Sequence, residues 1–343
     1  MASRFLRAFI VAASATQAVA SCAYGTHLVP RAEEGESVEV KTFGYAGSIG
    51  PLNWAALDGG SANVACATGT RQSPIDMVDG VFQMVSASDL TLQIPDMPEG
   101  TEFENLGTTV EVVAQGGSLE IGGKTYELQQ FHFHLPSEHL DNGTSIAMEM
   151  HMVWQTAEQE IAVIGVFVDL DPGTTEVTTP AAERLRRRAR HRLSSRQEAA
   201  PAETAPGSFG GIPGFLTVPM VKAAGVSSNL LETVLSKVEE IATPGTVTKT
   251  DPLVMSELVS TLLTGSFQSY SGSLTTPPCS EEVLWLVATQ KLQIQTATFE
   301  KARSVIGFNA RYPQNTPGQP NLLAVGAASS AAAQAAQVPI AAR

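Results

Sequence analysis

From Phe43 to about Asp169 the chain alternates apolar and polar residues in short runs, broken by Gly, Pro, Asn and Asp. Alternation with period two sends successive side chains to opposite faces of a strand. On that ground Leu90–Ile94, Thr109–Val113, Ser118–Ile121 and Tyr126–His134 are predicted strands, with Ile146–Trp154 as the next. Helical spacing is sparse. Leu231, Val234, Leu235, Val238 and Ile241 recur at helical intervals and predict one helix over Leu230–Ile241. A shorter helix is expected over Thr298–Val305. The expected fold class is therefore mainly β (α+β), a single sheet-dominated domain with a few short peripheral helices.

Two segments leave this pattern. Residues 173–219 hold Arg184, Arg186, Arg187, Arg188, Arg190, Arg192 and Arg196 between Ala-, Pro-, Thr- and Gly-rich flanks. Such a like-charged block reads as a solvated, disordered insertion. The Ala/Ser/Gln tail, 321–343, is expected to be disordered or at most weakly helical. At the start, Arg4 and Arg7 precede the apolar Ala8–Ala13 and the small-residue Ala18-Val19-Ala20. This reads as a signal peptide over 1–20, followed by an arm or pro-segment over 21–40 and the main domain over 41–320.

Composition narrows the function classes. The chain has 343 residues, 43% hydrophobic and 16% charged, which excludes wholesale disorder. Its formal net charge of −13 argues against nucleic acid as a partner. No apolar stretch reaches the ~18–20 residues of a membrane span. Of Cys22, Cys66 and Cys279, two would pair in an exported chain and one would be left over. Asn142-Gly143-Thr144 is a glycosylation sequon and fits a secreted surface turn.

The histidines carry the chemistry. Four of the six, His132, His134, His139 and His151, fall within twenty residues. On a strand, Gln130, His132 and His134 share one face, and Phe131 and Phe133 the other. On the next strand Glu149, His151 and Val153 share a face. If the two strands are antiparallel neighbours, His151 completes a three-histidine site. Three neutral nitrogen ligands suit zinc and leave a fourth tetrahedral position open for water. Gln130 and Glu149 each precede a histidine by two residues on the ligand face, where they can fix a ring's tautomer. His139 follows the turn at Pro136, off the ligand face, and is expected to hydrogen-bond rather than ligate.

These residues resemble the α-class carbonic anhydrase family. The matching strings are Gln130-Phe-His-Phe-His134, Ser137-Glu138-His139, Glu149-Met-His151-Met-Val-Trp154 and Ser273-Leu-Thr-Thr-Pro-Pro278. Others are Phe43-Gly-Tyr45, Arg71-Gln-Ser-Pro-Ile-Asp76, Ala162-Val-Ile-Gly-Val-Phe167 and Asn309-Ala-Arg311. They occur in the family's order from Phe43 to Gln314. The resemblance implies a large, mostly antiparallel twisted sheet with zinc held by His132, His134 and His151. It implies reversible hydration of carbon dioxide to bicarbonate and a proton by zinc-bound hydroxide. Carbonic anhydrase is itself the standard example of a metal lowering the pKa of bound water to about 7. Thr275, accepting from that hydroxide and donating to Glu138, would orient it. Thr276 would line the substrate side, and Val153, Val163, Leu274, Val283 and Trp285 would form the apolar wall for CO2. Cys66 and Cys279 stand where extracellular relatives carry a disulfide. Carbon dioxide and bicarbonate are the expected partners, with a homodimer allowed and a secreted location.

The pattern departs from the family at one functional position. Fast members place a proton-shuttling histidine in an Asn-x-Gly-His context, and here the string is Asn105-Leu106-Gly107-Thr108. Threonine does not titrate near neutrality, so proton export is expected to depend on buffer. Two rival readings compete with this one. His132, His134 and Glu138 also fit a cupin metal motif, but the second cupin motif is missing downstream. A non-catalytic binding module on the same fold would typically lack a zinc histidine, and all three are present.

Overall fold

The computed structural model describes residues 38–114, 116–171 and 227–336. The predicted signal peptide, Cys22 and the Arg-rich insertion lie outside the described residues. Among them the strands are β1 (Asp76–Met77), β2 (Gln83–Ser86), β3 (Thr91–Gln93), β4 (Glu102–Asn105), β5 (Val110–Val113), β6 (Ser118–Ile121), β7 (Lys124–His134), β8 (Leu140–Asp141), β9 (Thr144–Ser145), β10 (Met148–Gln155), β11 (Ile161–Leu170), β12 (Val247–Lys249), β13 (Ser266–Ser273), β14 (Glu281–Ala288) and β15 (Leu292–Ile294). The helices are α1 (Ala65–Thr68), α2 (Asn229–Leu235), α3 (Met255–Leu262), α4 (Thr296–Ile306) and α5 (Leu322–Ala336).

Twelve of these strands form one sheet, with main path β12-β4-β5-β7-β10-β11-β14-β13-β2. Its pairs are antiparallel apart from β11 with β14 and with β15. The expected sheet-dominated, mostly antiparallel fold is what the chain adopts. Alternation along β7 and β10 sends Phe131, Phe133, Met148, Met150, Met152 and Trp154 into the main core. There they meet Leu230, Leu231, Val234, Leu235, Val238 and Ile241. Burying each such side chain contributes about 2 kcal/mol.

The helix expected over Leu230–Ile241 is two pieces. α2 ends at Leu235, and a 3-10 turn follows over Val238–Ile241. The Ser236 hydroxyl donates to the Thr233 carbonyl at 2.7 Å, a local bond that competes with the helical ladder. The apolar face survives the break, since all five spaced residues are buried. α4 occupies the second predicted helix and ends at Gly307, whose φ of 69° suits a residue without a Cβ. Within the tail, expected to be disordered or at most weakly helical, Leu322–Ala336 forms α5. Alanine is the best helix former, and the helix start is anchored: the Asn321 side-chain amide donates to the Cys66 and Gly69 carbonyls at 3.3 and 3.1 Å.

Candidate metal centre

The antiparallel register of β7 and β10 sets His151 opposite His132, and Glu149 opposite His134. Residues paired across neighbouring strands share a face. The three predicted ligands therefore meet on one side of the sheet, with their ligating nitrogens within 4.8 Å of one another. Ring centroids are 5.0 Å apart for His132–His134, 5.4 Å for His132–His151 and 4.5 Å for His134–His151.

Each ring spends one nitrogen on a protein partner. His132 Nδ1 lies 2.9 Å from Gln130 Oε1. His134 Nδ1 lies 2.8 Å from the Asn309 carbonyl. His151 Nε2 lies 2.8 Å from Glu149 Oε1. All three acceptors fix the outer nitrogen as the N–H, which turns the lone pairs of His132 Nε2, His134 Nε2 and His151 Nδ1 inward. His134 Nε2 is buried without a hydrogen-bond partner, a costly state that a metal would relieve. Burial holds all three rings below the ordinary imidazole pKa: His132 well below, with neighbouring rings adding to it, His134 at about 4, and His151 lowered despite Glu149. Three neutral imidazoles with convergent lone pairs fit a metal ion.

Glu149 is saturated. Oε2 accepts the backbone N–H groups of Glu138 and His139 at 2.9 and 2.8 Å. Oε1 faces His139 Nδ1 at 2.7 Å as well as His151. Burial alone would raise its pKa, but His139 and His151 outweigh that and hold it well below the usual carboxylate range. His139 thus makes hydrogen bonds, as expected. Glu138 lies over the ligand set, with Oε2 3.5 Å from His134 Nε2 and Oε1 accepting the Arg311 N–H at 2.8 Å. Burial raises its pKa to about 7, against the lowering influence of His151, the Thr275 hydroxyl and the Arg311 N–H.

Val153, Val163, Leu274, Val283 and Trp285 fall in one buried cluster with Tyr270, Phe167 and Ile75. Val153 pairs with Val163, and Val163 with Trp285, so three of them cross the sheet in line. Thr275 is buried and Thr276 half-buried. Thr108 is nearly buried, and its carbonyl accepts from the Asn309 side chain at 3.1 Å. Cys66 and Cys279 form a disulfide beside Phe43 and Trp54. Asn142 caps the exposed β8–β9 turn at φ 49°. The sequence marks Asn309 and Arg311 only as a family string with no role attached; in the structure the Asn309 carbonyl accepts from His134 and the Arg311 N–H donates to Glu138.

The sequence profile described as eukaryotic-type carbonic anhydrase matches residues 50–205 and 214–317. The chain belongs to this family, and its activity is the reversible hydration of CO2. A carbonic anhydrase of Nostoc sp. is 28% identical over 284 residues, covering 81% of this chain and 82% of that protein. The fungal alpha carbonic anhydrase from Aspergillus oryzae superposes with a TM-score of 0.65 at 36% identity, covering 83% of this chain and 98% of its own. The Photobacterium profundum alpha-carbonic anhydrase gives 0.58 at 27% identity, covering 82% and 98%.

Proposed function

We propose that His132, His134 and His151 hold zinc, and that Thr275, Glu138 and the apolar wall complete the catalytic site. The observation that carries this is the convergence of three neutral ring nitrogens whose outer partners are all accounted for. Zinc accepts such a donor set with one position open, and supplies the Lewis acidity that makes water nucleophilic near neutral pH.

The chain's own residues do the rest. Glu138 accepts from Arg311, and the same carboxylate draws the Thr275 hydroxyl proton toward itself. Thr275 Oγ1 then presents only lone pairs to the attacking group, which selects species that carry a proton to donate. Val153, Val163, Leu274, Val283 and Trp285 offer CO2 an apolar wall, and an uncharged substrate requires no more. Thr276 lines the substrate side. Thr108 cannot take up a proton, so export relies on buffer.

The same reading extends to location. The disulfide supports an oxidising compartment, and with the predicted signal peptide it supports secretion. The exposed turn at Asn142 supports glycosylation there. No helix among the described residues is long and apolar enough to cross a membrane.

The test pairs zinc analysis with stopped-flow CO2 hydration in concentrated buffer, using His132→Ala as control. One zinc per chain and rapid hydration, both lost in the variant, are expected. Bound zinc without hydration would refute the catalytic assignment.

A further inference from the structure

The hydrogen bonds that fix His151 continue past Glu149. His139 Nδ1 meets Glu149 Oε1 at 2.7 Å, and His139 Nε2 meets the Tyr270 hydroxyl at 2.7 Å. That hydroxyl lies 2.8 Å from Ser73 Oγ. Ser73 Oγ accepts the Ser273 N–H at 3.0 Å, and the Ser73 N–H donates to Ser273 Oγ at 2.9 Å. Ser273 Oγ in turn donates to the Leu274 carbonyl at 2.8 Å. Every member is buried.

Proton directions along this line follow from the groups themselves. An ionised carboxylate only accepts, so both rings donate to Glu149: His151 through Nε2 and His139 through Nδ1. A neutral His139 then carries its lone pair on Nε2, and Tyr270 must donate to it. The Tyr270 oxygen is left to accept, so Ser73 donates, and the Ser73 oxygen takes the Ser273 N–H. The other His139 tautomer would set a ring lone pair 2.7 Å from a buried carboxylate oxygen.

We infer that Tyr270 is a positioning residue for the metal centre. Its hydroxyl fixes His139 as the Nδ1–H tautomer, so that Glu149 holds His151 with Nδ1 turned to the metal. The inference rests on reading the histidine triad as a metal site. The far end of the line runs through Ser273, the last residue of β13, and Leu274 into Thr275, so the same hydroxyls tie a metal ligand to the loop that carries the orienting threonine. Packing does not depend on the hydroxyl. Tyr270 stacks on Trp285 at 6.1 Å with planes 10° apart, and Trp285 also contacts His139 and His151 at 4.7 and 4.9 Å.

Tyr270→Phe keeps the ring and removes the donor. The measurements are zinc loss to a chelator from the loaded protein, and the exchange-protected imidazole N–H resonances by NMR. Zinc loss about tenfold faster is expected, the lower end for outer partners of metal ligands. The His139 Nδ1–H resonance should shift or broaden with it. Ser73→Ala should act in the same direction more weakly, and it carries the test if Tyr270→Phe does not fold. Zinc loss within twofold of wild type, with both N–H resonances unmoved, would overturn the inference even if the unfolding temperature fell. A wild-type protein without stoichiometric zinc would overturn the triad reading together with it.

Discussion

Replacing Cys66 and Cys279 together by alanine removes a bridge between residues 213 positions apart. A closed loop of that length restricts the unfolded chain by about 5 kcal/mol at 25 °C. The folded state keeps most of its local ties. Gln72 Nε2 still donates to the Cys279 carbonyl at 3.0 Å, the Cys279 N–H to the Thr276 carbonyl at 2.8 Å, and Asn321 Nδ2 to the Cys66 carbonyl at 3.3 Å. Loss of two sulfur atoms beside Phe43 and Trp54 adds about 1 kcal/mol of cavity cost. Residual structure in the unfolded chain lowers the sum, leaving about 3–5 kcal/mol. For a domain of this size each kcal/mol moves Tm by roughly 2–4 °C, so the expected fall is about 6–20 °C. Calorimetry of the oxidised protein and the double variant measures it. The ligands sit on β7 and β10, which the bridge does not touch, so zinc stoichiometry should stay at one. The segment after Thr275 is anchored at Cys279, so kcat/KM should fall. A Tm change below about 2 °C, or zinc lost along with the bridge, would refute this separation of scaffold from metal site.

Thr108→His should raise turnover severalfold in weak buffer while leaving kcat/KM nearly unchanged, because only proton export is altered; stopped-flow rates that do not rise would count against buffer-limited export. Glu149→Gln leaves one side-chain oxygen where two imidazoles and two backbone N–H groups now converge, so zinc affinity should weaken about 10–100-fold in chelator competition. The metal-free protein should show two opposed pH slopes in urea unfolding. His134 is held at about 4 by burial, so between pH 6.5 and 4 the unfolded chain binds a proton the folded one does not. Stability then falls as pH falls, by at most about 3 kcal/mol. Glu138 is raised to about 7 by burial, so its contribution is present below its unfolded value and is lost as pH rises through 7. His134→Gln should reduce the first slope, which the lowered His132 and His151 share, and Glu138→Gln should abolish the second; profiles unchanged by both variants would show that neither group governs the pH dependence.

What could be read from the chain follows the range of the interactions. The triad was legible because its geometry is local. Period-two alternation puts Gln130, His132 and His134 on one face, and a short connection brings Glu149 and His151 opposite. The partners of those residues come from far away in sequence. Tyr270 meets His139 across 131 positions, and Asn309 meets His134 across 175. No periodicity encodes such a meeting, so a family string marked Asn309 and nothing marked Tyr270. β14 lacked a signal for another reason: it is paired on both edges, and its end from Trp285 to Ala288 is buried whatever face each residue takes. That end is a continuous apolar run rather than an alternation.

Asn309 shows why the identity of a residue can mislead even when its position is known. The group that fixes His134 is the Asn309 main-chain carbonyl, which any residue would supply. The side chain does a different job. Its Oδ1 accepts the Leu135 N–H at 2.7 Å, and its Nδ2 donates to the Phe133 carbonyl at 2.8 Å. Asparagine thus binds the backbone on both sides of His134, and in doing so sets its own carbonyl against the ring. A side chain that could only donate or only accept would release one of those two backbone groups inside the core, at about 1–3 kcal/mol. The metal face is held by the same logic throughout. Gln130, Glu149 and Asn309 satisfy the outer nitrogens, Arg311 holds Glu138, and His134 Nε2 is left buried with no hydrogen-bond partner. A sheet that satisfies every outward imidazole nitrogen and leaves the inward ones open has a donor set that can hold a metal ion.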